Sequence, residues 1–281
     1  MKAYPVTLLC KVMQVGRSGF YDYLCGIVSR PENRLPEQAL RERVKAIFNL
    51  SHGSYGSRRI LRQLRLDGYP VGRYKVRGLM RKMGFKAKTR RRFRVTTESR
   101  HNFPVVANIL ERRFNPQGPN MVWTADISYI WTLEGWLYLA IVMDLFSRQI
   151  VGWSLDERIK KQLTLDALRM GFWRRNPDPG LLHHSDRGSQ YACHDYRNLL
   201  DQYGMAASMS RKGNCWDNAP TERFFRSLKT ERLDGLRFST RASARLEIID
   251  YISYYNCLRL HSTLGYVSPM AYERKQMRKA A

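Results

Sequence analysis

At 281 residues with 43% hydrophobic content, the chain can bury at least one core, as one large domain or two modest ones. Its 49 lysines and arginines against 24 acidic residues leave a formal charge of +25, which calls for a polyanionic partner, either nucleic acid or an anionic membrane surface. The first 100 residues hold 24 basic and 6 acidic side chains and residues 101–281 hold 25 and 18, the distribution of a DNA-gripping module joined to a more neutral body.

In chain order, Val6, Leu9, Val12 and Met13 mark a short amphipathic segment, and Ser18, Phe20, Tyr21 and Leu24 a second one after Gly16, a small helix-turn-helix-like pair. A break over Ser29 to Pro36 follows. Helices are expected over Glu37 to Leu50, around Ile60, Leu61 and Leu64 up to Gly68, and over Gly72 to Met83. In the last of these, Val76, Leu79, Met80 and Met83 face inward while Arg73, Lys75, Arg77, Arg81 and Lys82 stay outside, as in a recognition helix that enters the major groove. A solvated basic face on an ordinary bundle is the plainer alternative. Lys86 to Arg94 is a run dense enough in positive charge to lie along phosphates.

After a polar connection, strands are expected over Met121 to Trp131, Trp136 to Phe146 and Gln149 to Leu155, an antiparallel meander rich in Val, Ile, Trp and Tyr. A helix over Lys160 to Arg175, a strand over Leu181 to His184, a helix over Tyr191 to Tyr203, a strand over Met205 to Met209 and a further helix complete an α/β order with a mixed five-stranded sheet. No run of 18 apolar residues and no charged-then-apolar leader occurs, so an intracellular, cytoplasmic protein without a membrane partner is expected. Cys10, Cys25, Cys193, Cys215 and Cys257 are odd in number, without a C-x-x-C pair, and are read as reduced packing thiols.

Asp126 falls in the middle of the first strand, Asp186 just after the fourth, and Glu222 early in a helix after the fifth. Singly they read as a strand-end cap, a turn residue and a first-turn helix charge. Asp126, however, interrupts an apolar run from Val122 to Tyr129, where a charge is expensive unless a cation or a strong partner meets it. Three carboxylates at one rim of a sheet suit Mg²⁺, which binds through a few carboxylates, water and substrate phosphate. Lys229 follows Glu222 by seven residues, two helical turns, so the two share a face. Asn218 precedes Glu222 by four and either shares that face or caps the helix ahead of Pro220. Asp144, His183 and His184 are read as structural neighbours.

Three stretches carry a family resemblance: Trp123-Thr124-Ala125-Asp126-Ile127-Ser128-Tyr129, His184-Ser185-Asp186-Arg187-Gly188-Ser189-Gln190-Tyr191, and Lys212-Gly213-Asn214-Cys215-Trp216-Asp217-Asn218-Ala219-Pro220-Thr221-Glu222. Between Asp186 and Glu222 lie 35 residues. With Tyr55-Gly56, Arg58-Arg59-Ile60, Tyr254-Tyr255-Asn256, Arg259, His261 and Ser268-Pro269, they cover nearly the whole chain. The chain resembles the second-frame (OrfB) transposase subunit of two-frame bacterial insertion sequences, whose catalytic core is similar to retroviral integrases and has a ribonuclease-H-like fold.

That resemblance implies that Asp126, Asp186 and Glu222 are the catalytic, metal-binding triad and that Lys229 contacts DNA. It implies Mg²⁺ as cofactor with Mn²⁺ as a substitute, and cleavage of element ends followed by 3′-hydroxyl attack on a phosphodiester. The implied partners are double-stranded DNA, as element ends and as target, together with the first-frame (OrfA) product or its fusion with this chain, in an oligomer on DNA. No zinc is expected, since the His/Cys module of retroviral integrases has no counterpart here, and no sustained heptad pattern appears. The expected division is residues 1–30, a short helix-turn-helix-like segment; 37–95, a helix-turn-helix module with a basic tail; 96–118, a linker; and 119–270, the catalytic core with a helical extension. A non-catalytic DNA-binding regulator or partner of the fused transposase, and a hydrolytic nuclease of the same fold, stand as alternatives.

Overall fold

A computed structural model describes residues 4–28, 36–88, 106–211 and 214–280, without the side chains of residues 25–28, 215 and 280. Six of the expected cations of the basic run reduce to Lys86 and Lys88, because residues 89–94 lie outside the described part, as do residues 96–105 of the expected linker and Lys212 and Gly213.

Helices α1 (Val6–Val12) and α2 (Arg17–Val28) pack on each other and bury Cys10. Helices α3 (Glu37–Leu50), α4 (Ser57–Leu66) and α5 (Arg73–Lys82) each turn one apolar stripe inward. Leu40, Val44, Ile47, Ile60, Leu64, Val76, Leu79 and Met80 close a core of their own, at the helical spacing that burial of one face requires. Leu260, from far along the chain, is a member of that core. The three-helix module is therefore not separate from the rest of the molecule.

Strands β1 (Val122–Thr132), β2 (Gly135–Asp144) and β3 (Ile150–Asp156) form an antiparallel meander. Helix α6 (Lys161–Arg175) leads to β4 (Leu182–Ser185), which runs parallel to β1; α7 (Ser189–Ala192) and α8 (His194–Gln202) lead to β5 (Ala206–Met209), parallel to β4. The order β3-β2-β1-β4-β5 makes a mixed five-stranded sheet. Helices α9 (Ala219–Leu228), α10 (Arg241–Cys257) and α11 (Pro269–Ala280) complete the chain.

Both faces of the sheet are covered, which is why its central strands read as continuous apolar runs rather than alternating ones. On β2, Leu137, Leu139, Ile141 and Met143 pack toward Phe224, Ile248 and Tyr251 of α9 and α10. Ala140 and Val142 point the other way, into a core with Leu163, Leu168, Tyr196 and Leu200. Helix α6 crosses β3 at such close range that a Cβ on Gly152 would stand 2.1 Å from the Ala167 carbonyl oxygen. The single helix expected over Tyr191 to Tyr203 is instead two. Cys193 adopts an extended backbone (φ −67°, ψ 153°), which interrupts the helical turn between α7 and α8.

Candidate active site

Asp126 and Asp186 meet because their strands are parallel neighbours in register. Thr124 of β1 pairs with His184 of β4, and each aspartate lies two residues beyond that pair. Helix α9 brings Glu222 to the same rim from its first turn. It is fixed there by the residues around Glu222: the hydroxyls of Thr221 and Thr124 hydrogen-bond at 2.6 Å, and the Asn218 amide donates to the Ala125 carbonyl at 3.1 Å. Asn218 thus ties helix to strand and does not cap the helix with its side chain, since no such bond forms.

All three carboxylates keep part of their surface in reach of solvent. Asp126 is nonetheless surrounded by protein, and this desolvation, with the charges of Asp186 and then Glu222, pushes its carboxyl well above the usual range. A hydrogen bond from the Ile127 N–H at 2.8 Å and the Lys229 ammonium act in the opposite direction. Desolvation also raises the Glu222 carboxyl, against the pull of Arg226. Asp186 shapes a tight turn, accepting from the Gly188 N–H at 2.9 Å, and a Cβ on Gly188 would come within 3.0 Å of its Oδ1. Among the described residues, no three His, Cys, Asp or Glu side chains close on one point as a complete metal-ligand set.

Lys229 starts a π-helical turn, Lys229–Leu233, at the end of α9. Its ammonium lies 5.1 Å from the centre of the Tyr129 ring, on the strand that carries Asp126. Burial lowers its pKa, while Asp126 works to keep it charged. This puts a cation within reach of Asp126.

The neighbouring polar groups are structural. Asp144 is fully buried and accepts from the Asn120 and Phe146 backbones, both at 2.8 Å, with Arg175 at 3.4 Å. His183 bonds the Tyr196 hydroxyl, and His184 bonds Ser208 and Ser210. Desolvation pushes the two imidazoles down to about 3 and about 4, so both are neutral at pH 7.

The sequence reading passed over Asp217. Its fully buried carboxylate takes bonds from Arg112 at 2.8 Å, Asn108 at 3.0 Å and the backbone and side chain of Arg211. These bonds anchor the 3₁₀ turn Cys215–Asn218 that leads into α9. Its only sequence signal was a charge inside the third motif, next to Asn218.

On α5, Arg73, Lys75, Arg77, Arg81 and Lys82 are all exposed, opposite Val76, Leu79 and Met80. Two of these cations are already engaged. Glu37 pairs with Lys75 and, at 3.9 Å, with Lys82. The basic face thus offers three arginines with a partly neutralised border.

Residues 36–93 match the family described as an HTH-like domain, and residues 116–215 and 222–277 match integrase core domain families. The chain is 42% identical over 275 residues to the insertion element IS600 uncharacterized 31 kDa protein of Shigella sonnei, covering 97% of this chain and 100% of that one. It is 40% identical over 279 residues to the transposase InsF for insertion sequence IS3A of Escherichia coli (strain K12), covering 98% and 96%. The chain belongs to the insertion-sequence transposase family. This transposase is a polynucleotidyl transferase with an integrase core, and its mixed sheet flanked by helices is the expected ribonuclease-H-like architecture, preceded by the helix-turn-helix-like region. A solved structure similar to the transposase is the simian T-cell lymphotropic virus intasome in complex with PP2A regulatory subunit B56 gamma, at 13% identity, 78% and 70% coverage and a TM-score of 0.46. No helix of the transposase, among the described residues, is long and apolar enough to cross a membrane.

Proposed function

We propose that Asp126, Asp186 and Glu222 are the catalytic carboxylates of the transposase and hold Mg²⁺, with Mn²⁺ as a substitute, for cleavage of insertion-element ends and joining of those ends to target DNA. The observation that carries this reading is the crowding of like charge at Asp126, where burial, Asp186 and Glu222 all oppose the ionised form. Such an arrangement costs stability and is kept where a cation is to be bound. The donor set fits: three hard carboxylate oxygen donors at the rim of the sheet suit Mg²⁺, which needs only a few of them and takes its remaining ligands from water and phosphate. When bound, a pair of such ions supplies activation of the attacking oxygen and stabilisation of the departing one in an in-line displacement at phosphorus.

The chain's own residues do the rest. Thr221, Thr124 and Asn218 hold α9 against β1 so that Glu222 faces the aspartates. Lys229 presents a cation to the scissile strand from beside Tyr129. Arg73, Arg77 and Arg81 grip phosphates of the duplex, with Lys75 and Lys82 shared with Glu37. In this reading residues 37–95 are the DNA-gripping module, 119–270 the catalytic core, 96–118 the link between them, and 1–30 a further small helical segment. The partners are element ends, target DNA and the first-frame product or its fusion with this chain, in an oligomer that handles two ends together in the cytoplasm.

The test is a labelled duplex bearing the terminal sequence of the encoding element, incubated with Mg²⁺ and a target plasmid. Freed 3′ ends and joined products are expected from the parent chain and none from Asp126→Asn, while both proteins bind the duplex equally. Joining that persists in Asp126→Asn overturns the assignment.

A further inference from the structure

The π-helical turn after α9 has two faces. Lys229, its first residue, looks to the carboxylates through Asp126 and lies over Tyr129. Glu231 looks away, into a buried junction with the three-helix module. Its Oε1 accepts from Arg59 of α4 at 3.3 Å and from Arg259 at 2.6 Å; its Oε2 accepts from Arg259 at 2.7 Å and from the Tyr251 hydroxyl at 3.0 Å. Its backbone carbonyl accepts from Lys88 at 2.9 Å. Arg259 also reaches Ser227 of α9 at 3.2 Å, and the next residue, Leu260, enters the core of the module and gives its N–H to the Tyr55 hydroxyl at 2.6 Å.

Glu231 is 8% exposed, yet its carboxyl stays ionised: burial raises its pKa, but the bonds and charges of Arg259 and Arg59 outweigh burial and lower it. A charge so enclosed depends on all its partners at once, and removing one leaves the others unbalanced. The turn itself is closed by the bond from the Asp234 N–H to the Lys229 carbonyl at 2.7 Å, the wide loop of a π-helix, a conformation frequent at functional sites. Arg232 pins the other side of the turn to α10 through Glu247 at 2.9 Å and Asp250 at 2.8 Å. The hydrogen bonds of Glu231 tie the turn to the module, and His52 of the module lies within reach of the Arg232 charge.

We infer that Glu231 is a positioning residue: through the π-helical turn it sets the place of Lys229 in the reacting site according to how the DNA-gripping module is docked, so that strand cleavage depends on the docked state. This rests on the reading of Lys229 as a group of the reacting site. Arg59 and Lys88 are the module residues that bond Glu231 directly, beside the Tyr55–Leu260 contact, and a module shifted on binding DNA moves Glu231 and, two residues away, Lys229.

The experiment uses the full chain and the same end-sequence duplex with Mg²⁺, at saturating DNA. Glu231→Gln and Arg59→Ala are compared with the parent for cleavage rate, for duplex affinity and for melting temperature. Arg59 is the safer substitution, since its side chain is 23% exposed. Expected is a fall in turnover of at least tenfold for Arg59→Ala with duplex affinity changed less than twofold, and recovery of most of the rate in Arg59→Lys. In a Lys229→Met background, the residual rate is expected not to fall further on adding Arg59→Ala. A purely structural role predicts instead losses that multiply, or that fall on affinity and melting temperature together. Parental turnover in Arg59→Ala and Glu231→Gln, or multiplied losses with Lys229→Met, overturns the inference. If Lys229→Met leaves no measurable rate, the split between turnover and affinity in Arg59→Ala against Arg59→Lys decides. Activity surviving in Asp126→Asn removes the functional reading itself, and is told apart because it does not involve the module.

Discussion

Asn218 gives its side-chain amide to the carbonyl oxygen of Ala125, the residue before Asp126, across 93 positions of sequence. That bond and the Thr221–Thr124 pair hold α9, which carries Glu222, against the strand that carries Asp126. Asn218→Ala strands the buried Ala125 carbonyl and is expected to cost about 1–3 kcal/mol of stability. Its larger effect falls on chemistry, because a small misplacement of a carboxylate reduces rate far more than binding. A tenfold or greater loss of end cleavage is expected, with duplex affinity unchanged, in a side-by-side cleavage and binding assay. Equal losses in the two would show that the bond serves only stability.

Asp126→Asn makes the opposite trade. The ionised carboxyl at this position is opposed by burial and by Asp186, and the Ile127 N–H can bond an amide oxygen as well as a carboxylate. The variant is therefore expected to be inactive and more stable, with a melting temperature higher by about 2–4 °C in calorimetry at neutral pH without divalent metal. A variant less stable than the parent would mean that Asp126 is a structural charge.

The sheet was legible in the sequence because burial on both faces writes long Val-, Ile- and Trp-rich runs, and the rim was legible because Asp126 breaks such a run. The two-turn step from Glu222 pointed to Lys229, which the structure places at the start of the π-helical turn after α9. What escaped has distant partners: Arg59 and Glu231 are 172 residues apart, and Tyr55 and Leu260 are 205 apart. No local periodicity reports such pairs. The break at Cys193 escaped for a different reason, since the apolar spacing of Tyr191, Tyr196, Leu199 and Leu200 continues across it while the backbone does not. The reading of Lys75 and Lys82 as solvent-facing cations missed Glu37, because a charge on α3 lies 38 residues before the lysine it meets.

That last pairing has a measurable consequence. If α5 lies along phosphates, Arg73→Ala, Arg77→Ala and Arg81→Ala should each lower the slope of log affinity against log salt by about 0.9. Glu37→Gln should do the reverse, releasing Lys75 and Lys82 to the duplex, with little change in stability because the pairs are exposed. Fluorescence anisotropy on a labelled duplex over a range of salt concentrations reads both. Slopes that do not move in any of the four variants would exclude α5 from the DNA interface.

Acid should weaken the fold through buried neutral imidazoles. His261 is held by Val267 and Thr263; burial, with the positive charges of Arg259, Arg148, Arg223 and Arg59, pushes its pKa from 6.5 down to about 3. In the unfolded chain this ring takes up a proton below its ordinary pKa, while in the folded chain it resists until far lower pH. The contribution to stability is thus complete above about pH 6.5 and is lost as pH falls toward 3, by at most about 1.4 kcal/mol per pH unit. His183, pushed to about 3 by burial and by His184, adds a slope of the same sign. Asp126 and Asp144, both raised by burial, act with the opposite sign, so the histidine term is best isolated as a difference. Urea unfolding of the parent and of His261→Gln at pH 7.5 and at pH 5 should show the parent losing about 2 kcal/mol more than the variant at most. Curves that stay parallel between the two pH values would mean that His261 is protonated in the folded chain and that its arginine neighbours are screened by solvent.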